Sequence, residues 1–166
     1  MYTNEDVKNY FDLQIDMLRF MKKKQCHIGK EKPKCFVYGT LGNNYYIIKE
    51  NHFLYSVPKA FTFLEFEKYF DELMETPLSN NSIERMIDFK HISNTLKQTT
   101  EIRRCGNQNS LKFVFENGDP VYIASEFFKY YTINENTEIL CEKQKTPIFF
   151  VEQGELMALA LPIVFN

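Results

Sequence analysis

Apolar positions near the start of the chain recur at the spacing of an α-helix. They follow one another every three or four residues and form one stripe: Val7, Phe11, Ile15 and Leu18, widened by Tyr10, Met17 and Met21. Thr3-Asn-Glu-Asp6 has the form of a helix-capping box, with a hydroxyl and a carboxylate three positions apart. The pattern predicts an amphipathic helix that runs to about Lys24 and buries this stripe.

The apolar pattern then changes to short runs that are typical of strands. After a polar linker, strands are predicted at 35–40, 45–50 and 52–57. A second capping box, Thr62-Phe-Leu-Glu65, predicts a helix with the stripe Phe63, Phe66, Phe70 and Leu73. The polar, Asn- and Ser-rich segment Pro77–Ser82 is the best candidate boundary. Two domains are therefore expected, at 1–78 and 83–166.

The second half predicts a similar order of elements. A short strand at 83–87 precedes a helix that Asp88 caps and that carries Phe89, Ile92 and Leu96. Ser125 is expected to cap a short aromatic helix. Six strands are predicted around that aromatic helix, three before it and three after it: 100–105, 111–116, 119–124, 137–143, 147–152 and 155–163. Asn117-Gly118 predicts a type I′ turn, and Gln153-Gly154 a turn between the last two strands.

The pattern as a whole predicts the α+β class. Both halves read as strand, Glu-Asn turn, strand and aromatic helix, around Glu50-Asn51 and Glu116-Asn117. The expected architecture is therefore two small similar units of antiparallel strands, with helices on one face of each. The apolar run that ends at Ile163 is expected to be a core strand, because chain ends fray unless they are tied into a sheet.

Composition narrows the class of protein. The chain has 166 residues, 44% of them hydrophobic, with 16 Phe, 10 Tyr and a net charge of −2. This balance indicates a globular protein with no general attraction to nucleic acid or membranes. No apolar run is long enough to span a membrane and no secretory signal is visible, so a cytoplasmic location and free thiols at the four cysteines are expected.

The order of elements from Ile83 onward resembles one domain of a DNA polymerase sliding clamp, especially the C-terminal domain of the bacterial clamp. The similar features are a short helix at 125–133, strands at 138–141 and 147–151, the turn Gln153-Gly154, and the apolar-Pro-apolar end of Leu159-Ala-Leu-Pro-Ile163. The resemblance covers about half of the chain.

The resemblance implies two kinds of binding site. In clamps, lysines on the helices contact the phosphate backbone, which here implies duplex DNA binding at Lys22, Lys23, Lys24, Lys90 and Lys97. The apolar-Pro-apolar end of a clamp helps to form a groove for partner peptides, which here implies a partner site at Leu161, Pro162 and Ile163. The predicted second helix is acidic and opposes encirclement of DNA: Glu65, Glu67, Asp71, Glu72 and Glu75.

No catalytic residue, metal site or cofactor is predicted. The spacing of Cys26, His27 and Cys35 does not fit the tight ligand pairs of structural zinc. The expected function is therefore that of a non-enzymatic binding protein, of either a protein-interaction or a DNA-processivity type. Assembly into a homo-oligomer is compatible with this function, and no membrane partner is expected. Two alternatives remain open: a small cysteine-dependent enzyme using Cys26, His27 or Cys35, and an interaction module with no nucleic-acid role.

Overall fold

A computed structural model describes residues 2–26, 36–66, 68 and 77–165. The chain divides into two compact units, Met1–Met86 and Ile87–Asn166. Helices and antiparallel strands occur together, which confirms the predicted α+β class. Within the described residues, no helix combines the length and the apolar character that crossing a bilayer requires.

The first unit contains two α-helices with described bounds, helical residues at Phe66 and Lys68, and one three-stranded meander among its described residues. The elements in chain order are α1 (Asn4–Cys26), β1 (Phe36–Leu41), β2 (Asn44–Lys49), β3 (Phe53–Pro58), a 3-10 helix (Lys59–Phe61) and α2 (Asn80–Met86). Both strand pairs are antiparallel, and Ile47 of β2 faces Tyr38 of β1 and Tyr55 of β3. Glu50 and Asn51 have φ of 55° and 61°, the left-handed pair that a type I′ hairpin requires.

The capping box at the start of α1 is confirmed. The backbone N–H of Thr3 donates to Asp6 Oδ2 at 2.9 Å, and the N–H of Asp6 donates to Thr3 Oγ1 at 3.1 Å. These two bonds satisfy donors that the first turn of a helix leaves without intrahelical partners. The predicted length is also close to the observed one, because α1 ends at Cys26.

The predicted buried face of α1 is confirmed at Tyr10 and Met17 and is wrong at Phe11 and Ile15. Phe11 and Ile15 are each 40% exposed, whereas the buried side chains follow a neighbouring stripe: Tyr10, Leu13, Gln14, Met17 and Phe20. The physical reason is a set of hydrogen bonds from Gln14. Its Nε2 donates to the carbonyl of Phe61, and its Oε1 accepts from the N–H of Phe63 at 2.9 Å. These bonds fix the rotation of α1 and turn Phe11 and Ile15 away from the core.

The segment predicted as a strand at 83–87 is instead helical up to Met86, with Ile87 in the turn that follows. It belongs to α2, which Ser79 caps by accepting a hydrogen bond from the N–H of Ser82 at 3.2 Å. Ile83 is the buried residue of this helix. A Cβ placed on Gly39 of β1 would lie 2.5 Å from Ile83 Cδ1, so glycine is what allows this close approach.

The helix predicted after Thr62 falls mostly outside the described residues. Thr62 itself does not cap it, because the described helical residues begin only at Phe66; the Thr62 hydroxyl instead donates to the carbonyl of Lys59 at 2.7 Å. Phe66 and Lys68 are helical. Phe66 is fully buried, with its ring stacked on that of Tyr45 at 4.4 Å between centroids. Of the five predicted acidic positions, Glu65 is described and exposed.

The second unit consists of two antiparallel three-stranded meanders joined by a 3-10 helix. The elements are β4 (Leu96–Cys105), β5 (Gln108–Phe115), β6 (Pro120–Ala124), a 3-10 helix (Ser125–Lys129), β7 (Thr137–Cys141), β8 (Ile148–Glu152) and β9 (Glu155–Ala160). Gln153 and Gly154 have φ of 51° and 78°, so the predicted turn between β8 and β9 is confirmed. At Asn117-Gly118 the predicted type I′ turn is wrong, because Gly118 has positive φ and Asn117 does not.

The helix predicted from Asp88 does not form. The carboxylate of Asp88 accepts a hydrogen bond from the N–H of Lys90 at 3.3 Å and so stabilises a turn. Phe89 contacts Phe149 at 6.2 Å between ring centroids, and Leu96 is buried as the first residue of β4. Because these apolar residues pack separately, their helical spacing in the sequence does not correspond to a helix.

Aromatic residues form the core of the second unit around Phe150, which is fully buried. The rings of Phe127 and Tyr131 lie 5.1 Å and 5.2 Å from it, and that of Phe113 lies 6.3 Å away in an edge-on contact. The predicted aromatic helix is present as the 3-10 helix. Ser125 does not cap it: Ala124 is the N-cap, and no side-chain capping bond forms.

Candidate functional site

The C-terminal tail, residues 161–165, leaves β9 after Ala160 and continues beside β6. The backbone N–H of Ile163 donates to the carbonyl of Tyr122 at 2.8 Å. Pro162 has no N–H to donate, so it cannot extend the β9 ladder as a donor. The predicted final strand therefore ends three residues before Ile163. Leu161 and Val164 are 38% and 48% exposed, which makes the tail a surface feature.

An arginine from β4 holds the end of the tail. The guanidinium carbon of Arg103 lies 3.8 Å from the centroid of the Phe165 ring and 5.4 Å from that of Tyr122. The two rings meet edge-on at 5.0 Å. A cation over aromatic faces is attracted by the ring quadrupoles. Residues from β4, β6 and the tail therefore form one contact cluster.

This cluster borders a cleft of about 280 Å³. Its lining residues come from β4, β6, the β7–β8 loop and the tail: Arg103, Pro120, Val121, Tyr122, Gln144, Lys145, Ile163, Val164 and Phe165. Gln144 Nε2 donates to the carbonyl of Pro120 at 3.1 Å and ties the loop to β6. Two cations, Arg103 and Lys145, are present among these lining residues, which include no carboxylate.

The cleft combines apolar walls with positive charge. Ile163, Val164 and Phe165 supply apolar surface, whereas Arg103 and Lys145 supply donors for carboxylate oxygens. Such a surface suits a short extended segment that carries both apolar and acidic side chains. Of the predicted partner residues, Ile163 lines the cleft, whereas Leu161 and Pro162 lie in the preceding part of the tail.

A second cleft, of about 620 Å³, shares Gln144 of the β7–β8 loop with the first cleft and has more polar than apolar lining. Asn94, Glu116, Asp119 and Glu142 are among its lining residues. In the part of the chain that the structure describes, no group of three or more His, Cys, Asp or Glu side chains is arranged to hold a metal ion.

The lysines predicted to contact DNA belong to both units. Lys22 is exposed on α1, and Lys23 and Lys24 follow it on the same helix, with side chains outside the described residues. Lys90 is exposed in the turn before β4, not on the predicted helix, and Lys97 is exposed on β4. A DNA site at these five lysines therefore stays a prediction.

The cysteines of the predicted alternative site are only partly described. Cys26 is the last residue of α1, and His27 and Cys35 lie outside the described residues. The two described free thiols differ in environment. Burial raises the pKa of the Cys141 thiol, against the opposing effects of hydrogen bonds with Thr146 and the carbonyl of Lys143, whereas Cys105 is exposed. A raised pKa lowers the fraction of reactive thiolate at neutral pH.

Of the residues that line the cleft, Ile163 is the one that the sequence singled out. The apolar-Pro-apolar pattern pointed to Ile163, but no pattern in the sequence pairs Arg103 with Tyr122, Lys145 or Phe165. Arg103 and Phe165 come together only because the tail crosses to β6 after β9 ends.

No protein-family model, curated protein or solved structure matches the chain.

Proposed function

We propose that this protein is a non-enzymatic protein-binding module whose cleft beside the C-terminal tail takes a short, extended peptide with apolar and acidic side chains. The observation that carries the proposal is the meeting of the tail with Arg103 and Tyr122, since it places apolar walls and positive charge around one cleft.

Two further features support this choice of ligand. Lys145 is exposed on the β7–β8 loop, so a second cation is accessible at the same cleft. Ion pairs between a cationic and an acidic surface favour one partner and speed association, whereas the apolar contacts supply most of the affinity. The sliding-clamp family, which the sequence resembles, uses the equivalent end of the chain in a peptide groove.

The test is fluorescence anisotropy with a labelled peptide in which aspartates alternate with leucine and phenylalanine. Its counterpart carries lysine in place of each aspartate. We expect the acidic peptide to bind, with an affinity that falls as salt concentration rises. We expect Arg103→Gln to weaken binding by roughly tenfold or more, as is typical for the loss of a charged hydrogen bond.

Arg104 offers a matched control, because it is the next residue of β4 and does not line the cleft. Arg104→Gln removes the same charge from the same hairpin and is expected to leave affinity unchanged. Equal binding of the lysine peptide, or equal effects of the two arginine substitutions, would contradict the proposal. Circular dichroism melting of both variants separates loss of binding from loss of fold.

The non-enzymatic part of the proposal rests on the environment of the described thiols. Cys141 is buried and its pKa is raised, so it is a poor nucleophile at neutral pH. Cys105 lies at the end of β4, next to the turn of an exposed hairpin. The cysteine-enzyme alternative at Cys26, His27 or Cys35 requires an activated thiol, which the thiol titration described in the Discussion measures directly.

A further inference from the structure

The rotation of α1 leaves an apolar patch on the outer side of the first unit. Phe11 and Ile15 lie one turn apart on the helix, and each is 40% exposed. Phe63, which follows β3 in the chain, is 49% exposed, and its ring centroid lies 5.9 Å from that of Phe11. Contiguous exposed apolar side chains, rimmed by polar ones, mark interaction surfaces.

The charged residues around the patch form ion pairs beside it and differ in sign between the outermost turns of α1. Beside the apolar residues, Lys8 pairs with Asp12 at 3.1 Å, and Arg19 pairs with Asp16 at 3.2 Å. The outermost exposed charges of the helix differ in sign, and Lys8 is exposed one turn inside Glu5. The first turn carries Glu5, which is exposed, and the last turns carry Lys22, also exposed, followed by Lys23 and Lys24 in the sequence.

When α1 pairs in antiparallel orientation with α1 of a second copy, the apolar residues meet and the opposite charges at the helix ends come together. When Phe11 of one copy faces Ile15 of the second copy, the two-fold axis passes near the middle of this short stripe. The same alignment places Glu5 of one copy beside the turn that carries Lys22 of the second. A parallel alignment would instead place like charges together at both ends. The charge pattern and the apolar stripe are therefore self-complementary about one axis.

We propose that this face of α1, with Phe63 beside it, pairs with the same face of a second copy of the chain to form an antiparallel, two-fold dimer. Lys8 and Lys22 are each seven residues from Ile15, so they continue the line of the stripe before and after it and keep the apolar contact to a single central layer from each copy. Three apolar side chains from each copy make a small interface, so we expect a weak dimer with a dissociation constant on the order of micromolar. The proposal is independent of the peptide cleft, which belongs to the second unit.

Analytical ultracentrifugation of the full chain over the micromolar range tests the proposal. We expect a concentration-dependent monomer–dimer equilibrium. Phe11→Ser should weaken it by about tenfold or more, because a central aromatic contact is lost from both sides of a two-fold interface. Ile102→Ser is the matched control, since Ile102 is 63% exposed on β4 and should leave the equilibrium unchanged.

A charge exchange tests the antiparallel arrangement. Glu5→Lys and Lys22→Glu should each weaken the dimer by roughly two- to tenfold, since each single substitution places like charges together twice. The double variant E5K/K22E should recover the original equilibrium, because the opposite charges meet again. Helical circular dichroism checks that every variant keeps α1.

Three results would overturn the proposal. The first is a protein that stays monomeric throughout this range, including one that instead binds anionic vesicles or an acidic helical peptide through Phe11. The second is a dimer insensitive to Phe11→Ser in a folded variant. The third is a double charge variant that is weaker than both single variants, which would show that Glu5 and Lys22 do not meet.

Discussion

The guanidinium carbon of Arg103 lies 3.8 Å above the ring of Phe165, and this contact joins the first strand of the second unit to the end of the C-terminal tail. A cation–π contact at an exposed site contributes about 0.5–1 kcal/mol. Together with the hydrogen bond from Ile163 to Tyr122, it positions one wall of the cleft. The tail therefore contributes mainly to the cleft and only modestly to the core.

Two truncations should separate these contributions. Removal of residues 161–166 is expected to leave a folded protein that no longer binds the acidic peptide. Removal of residues 158–166 is expected to leave an unfolded or insoluble chain, because Ala158, Leu159 and Ala160 of β9 are buried. Thermal melting and peptide anisotropy measure both effects. A soluble protein with unchanged melting after the longer truncation would show that β9 is not part of the core.

We expect Gln14 to contribute more to the stability of the first unit than a glutamine usually does. It is fully buried and bonds to the carbonyls of Tyr10 and Phe61 and to the N–H groups of Phe63 and Leu64. Gln14→Leu keeps a similar size but removes the partner of the Phe61 carbonyl and of the N–H groups of Phe63 and Leu64, and a buried group left unsatisfied costs about 1–3 kcal/mol. Urea unfolding should show a lower free energy of unfolding for this variant. Gln98→Leu, at an exposed position, should change stability by less than about 0.5 kcal/mol.

Gly39→Ala should destabilise the first unit by about 1–3 kcal/mol through overpacking. The added Cβ would lie 2.5 Å from Ile83 Cδ1 and 2.9 Å from Leu78 Cβ. Ile83→Val removes the nearer of these atoms, so the double variant should recover part of the loss relative to the sum of the single changes. If urea unfolding shows that the changes in unfolding free energy of the two single variants simply add in the double variant, β1 and α2 do not approach as closely as described.

Thiol titration should separate the described cysteines. In a Cys26→Ser/Cys35→Ser variant, Cys105 should react with an aromatic disulfide reagent in the native state, and Cys141 only after unfolding. Cys141 is slow because burial excludes the reagent and raises the pKa of the thiol, so little thiolate is present near neutral pH. As pH rises through the ordinary range of thiol pKa values, the Cys141 thiol loses its proton in the unfolded chain before it does so in the folded protein. Folding therefore becomes less favourable as the pH rises further.

The unsubstituted protein provides the comparison for the cysteine-enzyme alternative. We expect Cys26 and Cys35 to react no faster than a free thiol. A reaction far faster than that at neutral pH would indicate an activated nucleophile and would contradict the non-enzymatic proposal.

The sequence by itself determined the features that depend on neighbours along the chain. The capping bonds between Thr3 and Asp6 form within one helical turn, and the turns at Glu50-Asn51 and Gln153-Gly154 need only the local backbone conformation. The strands on either side of these turns were also predicted from the sequence, because hydrophobic alternation and turn residues act over a few positions. The α+β class follows from these local signals.

Only the tertiary structure decided which of two apolar stripes on α1 is buried, because Gln14 bonds to groups 47 to 50 residues away. It also decided that Ile83 lies on a helix, where Ser79 caps the segment and Gly39 leaves space for the side chain. The cleft depends on the same kind of distant contact, since Arg103 meets Phe165 only when the tail returns to β6. Short segments have weak local preferences, so such packing contacts determine their conformation.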